Sequence, residues 1–152
     1  MAKPKNNSSK SILEKNWMTK SLEALEKDYW GAPDSDSHLV KTCHQLRKKQ
    51  LKDFETEDLR IMIGQNIGLP YLIPLAIEAL QENILIEGDF YEGDLLKSVL
   101  TSDVDYWKDH NDKWIQVGVL FNKNIELIKN KAREYDTARE ILKEFKDFEK
   151  IN

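Results

Sequence analysis

The chain has 152 residues, 40% hydrophobic and 33% charged, with a formal net charge of −4. That length fits one domain with its own core, and the acidic balance argues against nucleic acid as the main partner. A single cysteine, Cys43, excludes an internal disulfide and favours a reducing compartment.

Residues 1–10 are basic and polar, which predicts a disordered leader; they resemble neither a secretory signal nor a membrane anchor. Ser11 to Asp28 is helix-like, with Leu13, Trp17, Leu22 and Leu25 as apolar positions. Ser21 is placed to cap a short helix, SLEALEKD. Residues 31–36, GAPDSD, form a loop by composition. Ser37 then caps SHLVKTCHQLRKKQL, in which Leu39, Cys43 and Leu46 share one face. Thr56 is the next expected cap. Glu57 and Asp58 suit the positive end of that helix's dipole, and Leu59, Met62 and Ile63 point inward.

Gly68 is expected to end this helix in a left-handed conformation. Pro70 fits the first turn of the next helix, while Pro74 marks a kink or a late start. Ile73, Ile77, Leu80 and Ile84 continue the apolar face. The uncharged run from Ile61 to Ile77 falls short of the ~20 residues that span a bilayer, so it predicts a buried core. Gly-Asp pairs at 88–89 and 93–94 predict turns, with Asp94 as cap for LLKSVL. Asp103 caps VDYWKDH. Trp114, Val117, Phe121, Ile125 and Ile128 recur at helical spacing, although Ile115 to Phe121 has some β character. A last helix from about Thr137 carries the stripe Ala138, Ile141, Leu142, Phe145 and Phe148. The reading is all-α: a single-domain compact bundle of about six to eight helices over residues 11–152.

The charge is unevenly spread. Between Glu82 and Lys113 there are nine acids and three bases, whereas Lys41 to Lys52 holds five bases and no acid. An acidic face attracts a basic partner and speeds the encounter. Tyr91, Tyr106 and Trp107 lie within the acidic stretch, either as interface anchors or as caps over the core.

Chemistry finds little support. His38, Cys43 and His44 cannot converge on one ion from a single helix at about 100° per residue. No base is placed to activate Cys43. The run from Gly64 to Gly68 lacks the Gly-Lys-Ser/Thr ending of a phosphate loop, and the carboxylates of 87–112 lack the alternation of a calcium loop. No catalytic residue, cofactor or metal is expected.

The strings SHLVKTCHQLRKK (37–49), DFETEDLRIMIGQNIGLPYLIPLAIEAL (53–80) and EGDFYEGDLL (87–96) resemble the immunity proteins of contact-dependent growth inhibition (CDI) systems. The resemblance covers about Ser21 to Leu100. Family members often carry proline where this chain has Gln50, Ile84 and Glu92, which are loop or helix-start positions. The resemblance implies a cytoplasmic antitoxin, with no membrane partner, that binds the C-terminal toxin domain of a delivered effector. Many such toxins are nucleases, and nucleases are basic because they bind phosphate backbones. The expected contact residues are therefore Asp89, Tyr91, Glu92, Asp94, Asp103, Asp105 and Asp109, with no direct binding of nucleic acid. The competing reading is a helical regulatory adaptor that binds a cellular protein or nucleic acid through Lys41 to Lys52.

Overall fold

The computed structural model describes residues 17–152. The expected leader and the start of the first expected helix, including Leu13, lie outside the described residues. The all-α reading holds, with nine helices among the described residues. The chain divides into two compact units, residues 1–54 and 55–152.

In the described part of the first unit, α1 (Leu22–Glu26) starts where the Ser21 hydroxyl accepts from Ala24 N–H at 3.2 Å, and it closes on Lys27 in the left-handed region. Helix α2 (His38–Leu46) is capped by Ser37 in the same way. A short 3₁₀ turn, Leu51–Asp53, follows. Leu22, Cys43, Leu46 and Leu51 are buried, but Leu39 is 42% exposed. The expected α2 face thus narrows to Cys43 and Leu46.

The second unit holds α3 (Thr56–Gly64), α4 (Leu69–Glu82), α5 (Asp94–Leu100), α6 (Val104–Asp109), α7 (Asn111–Lys123), α8 (Ile125–Ala132) and α9 (Asp136–Glu149). Helix α5 is its centre, packed against α3, α4 and α9. Leu95, Leu96, Val99 and Leu100 are all buried, and burying each fully is worth about 1.5–3 kcal/mol. Helix α9 contributes Ala138, Ile141, Phe145 and Phe148 to the core. Trp107, Phe121, Phe145 and Phe148 form a linked aromatic cluster, with Phe121 and Phe145 stacked at 3.7 Å. The segment 111–152 therefore contributes to the core of this unit.

Three helix ends differ from the sequence reading. Thr56 is the first residue of α3 rather than its cap; Glu55 is the cap, and its N–H donates to the Asp58 carboxylate at 2.9 Å. The left-handed residue that closes α3 is Asn66, not Gly68. Asn66 N–H donates to Ile63 O and Ile67 N–H to Met62 O, the paired bonds of a Schellman ending. Gly68, also left-handed, starts α4 instead. Pro70 stands in the first turn of α4 as expected, and Pro74 lies inside the helix rather than at a late start. Finally, Gly93 caps α5 and Asp94 is the first helical residue. The β-like run 115–121 is helical in α7. No helix among the described residues is long and apolar enough to cross a membrane.

Candidate functional site

The turn-rich segment 87–93 is built around one buried carboxylate. Asp94 is 3% exposed. Its Oδ1 accepts from Gly88 N–H at 2.7 Å, and its Oδ2 from Phe90 N–H at 3.1 Å and Tyr91 N–H at 3.4 Å. Arg60 Nε lies 3.8 Å from the same Oδ2. From α3, Glu57 reaches the loop as well and accepts Asp89 N–H at 2.9 Å. Arg60 and Glu57 form a two-pronged pair at 2.7 and 2.5 Å, and the Arg60 guanidinium lies 4.3 Å from the Phe90 ring centroid.

Electrostatics and sterics agree with this geometry. The hydrogen-bonded Arg60 holds the Glu57 carboxyl below its ordinary range; burial opposes that shift and the Asp89 N–H assists it. Arg60 is pushed up in turn, chiefly by Glu57. A Cβ on Gly88 would sit 2.6 Å from Glu57 Oε1, so a larger residue there would push that carboxylate aside. Gly93 has φ +90°, and a Cβ there would meet Ile141 Cδ1 at 2.6 Å. The loop is thus bonded to α3 through Glu57 and approaches α9 closely at Gly93.

The acidic residues do not form one cluster. Asp89, Tyr91 and Glu92 lie in the loop before α5. Asp103, Asp105 and Asp109 lie beyond its far end, where Asp103 N–H donates to Asn66 Oδ1 at 2.8 Å. The length of α5, about 10 Å at 1.5 Å per residue, separates the two groups. Asp103 caps α6 as expected, accepting Asp105 N–H at 3.1 Å. Of the nine acids between Glu82 and Lys113, eight are exposed and Asp94 is buried. Among those eight, and among the described residues, only Glu92 forms an ion pair, with Lys131 at 3.1 Å.

Tyr106 and Trp107 are buried. Trp107 Nε1–H donates to Ser102 Oγ at 3.0 Å, and Tyr106 stacks on His110 at 4.0 Å. They belong to the interior, while Tyr91 remains partly exposed.

The basic segment of the first unit is less available than its sequence suggests. Arg47 is 1% exposed. It donates to the Glu26 carboxylate and the Asp28 carbonyl, and lies 4.4 Å from the Trp30 ring centroid. His44 is occupied by Gly31 O and by the Trp30 edge. Burial raises the Cys43 thiol pKa, which disfavours the thiolate a nucleophile needs. Among the described residues, no group of three or more His, Cys, Asp or Glu is placed to hold a metal ion.

A family model described as CDI immunity proteins matches residues 24–117, more than half of the chain. The chain belongs to the CDI immunity protein family. An immunity protein is a toxin inhibitor and not an enzyme, and this one neutralises a CDI toxin. The match runs beyond Leu100, through α6 and into α7. No curated protein and no solved structure matches the chain significantly.

The immunity protein's loop also meets residues that the sequence did not single out as a site: Arg60 beneath Phe90 and Asp94, Gly88 beside Glu57, and Lys131 at the surface against Glu92. Their signal is weak, because Asp89 and Glu57 stand 32 residues apart and no local pattern joins them. The one local relation among these residues is the i, i+3 spacing of Glu57 and Arg60.

Proposed function

We propose that this immunity protein neutralises a basic toxin domain, a nuclease in class, in the cytoplasm, and that it does so through acidic surface at both ends of α5. Asp89, Tyr91 and Glu92 supply one end, and Asp103, Asp105 and Asp109 the other. Asp94 serves from beneath by fixing the loop. The carrying observation is that seven exposed carboxylates between Glu82 and Lys113 have no ion-pair partner among the described residues. Such a surface gains most from a cationic partner, and it competes with a phosphate backbone for the same toxin groups. The protein performs no chemistry: it covers a toxin surface and holds it.

The test is a titration of the toxin domain encoded beside this gene. Charge reversal at Asp89 and Glu92, or at Asp105 and Asp109, is expected to weaken association by about tenfold or more, with the fold intact by circular dichroism. Wild-type association should also slow as salt rises, because exposed charges are screened. Unchanged binding in both double variants contradicts the acidic-surface reading, whereas immunity through another face would survive that result.

A further inference from the structure

The loop has a second neighbour. Beside it, the junction of α8 and α9 closes a pocket of about 330 Å³, lined by Leu85, Glu87, Tyr91, Glu92, Lys131 and Tyr135 among others. Glu87 and Glu92 face each other across an isolated antiparallel bridge. Residues directly opposite in such a pair have neighbouring side chains on one face, and like charges there repel. The chain answers half of that repulsion itself. Lys131 Nζ lies 3.1 Å from Glu92 Oε1 and 5.8 Å from the Tyr135 ring centroid. The ammonium thus lies within reach of both a carboxylate and a ring, the two kinds of group that attract an organic cation.

Glu87 has no ion pair among the described residues and is exposed. Two carboxylates and one ammonium leave the pocket one negative charge in excess. The Lys131 and Glu92 side chains are 37% and 54% exposed, so their contact is open to solvent and exchangeable.

We propose that this pocket receives one arginine side chain of the toxin, and that Lys131 is a displaceable stand-in that holds Glu92 until the complex forms. The proposal rests on the reading of the toxin as basic. Arginine fits better than lysine because its planar fork engages a carboxylate with two bonds and stacks on an aromatic face. Tyr91 and Tyr135 supply rings, and Glu87 supplies the unpaired carboxylate.

The experiment measures toxin-domain affinity for the full-length protein and for Glu87→Gln, Tyr135→Ala, Lys131→Met and Asp147→Asn. The last removes an exposed charge outside the pocket. Melting temperatures establish that each variant is folded. Glu87→Gln and Tyr135→Ala should each weaken binding about tenfold or more, and Asp147→Asn should change it less than twofold. Lys131→Met should bind as tightly as wild type or tighter, because the incoming side chain no longer competes. If Glu87→Gln and Tyr135→Ala bind like wild type while the toxin is still neutralised, the pocket proposal falls and the proposed function stands. If Lys131→Met weakens binding as much as the other two, Lys131 is a fixed contact and the stand-in role is wrong. If the wild-type protein does not bind the toxin domain, both readings fail together.

Discussion

The buried Asp94 carboxylate accepts three part-buried backbone N–H groups and sits beside Arg60. An asparagine would turn one acceptor oxygen into a donor and leave at least one part-buried amide without its acceptor. Asp94→Asn should therefore lower the unfolding free energy by about 2–3 kcal/mol, read by urea denaturation; a loss below about 0.5 kcal/mol would show that water replaces the carboxylate. Glu57 gives a pH signature. Its folded-state pKa is depressed, mainly by Arg60. Its stabilising contribution is thus present above the unfolded value, ordinarily about 4.3, and is lost as pH falls through the lower folded value. Acid titration of stability should show that loss in wild type, and Glu57→Gln should flatten it. An identical acid profile for the two proteins would show that Glu57 does not govern acid stability.

At the scale of elements, the chain beyond the family match completes the core. Phe148 is 1% exposed and packs edge-on against Trp107 at 5.0 Å, while its carbonyl accepts Trp114 Nε1–H at 2.9 Å. Phe148→Ala should cost about 3–5 kcal/mol in chemical denaturation; a cost below about 1 kcal/mol would make α9 an appendage. The stripe of α9 was legible because period and burial coincide at Ala138, Ile141, Phe145 and Phe148. The end of α3 was only half legible. Asn66 and Gly68 both tolerate a positive φ, and the choice fell to Asn66 because its position lets two amides reach back to Ile63 and Met62. The helical spacing from Trp114 to Ile128 also concealed a break. Asn124 separates α7 from α8, with its Nδ2–H donating to Leu120 O at 2.9 Å.

Across the whole molecule, the charge asymmetry in the sequence takes different physical forms in its two halves. The acids of 82–113 stay largely exposed, because helix starts and turns are where carboxylates reach solvent. Two members of that region could not be sorted by sequence. Asp94 and Asp89 both follow glycine, yet the backbone bond from Gly93 N–H to Leu85 O accompanies an inward Asp94 and leaves Asp89 exposed. Likewise, nothing local marks Arg47 as the one buried base between Lys41 and Lys52; that follows from Glu26, Asp28 and Trp30. The family was legible because it rests on long ordered strings, whereas the contact surface depends on which carboxylates remain unpaired in three dimensions.

Neutralisation of the toxin is tested by growth of cells in which the toxin domain encoded beside this gene is induced with and without this protein. Growth should be rescued, and the two proteins should purify as one complex. Continued killing in cells that accumulate the folded protein would contradict it for that toxin.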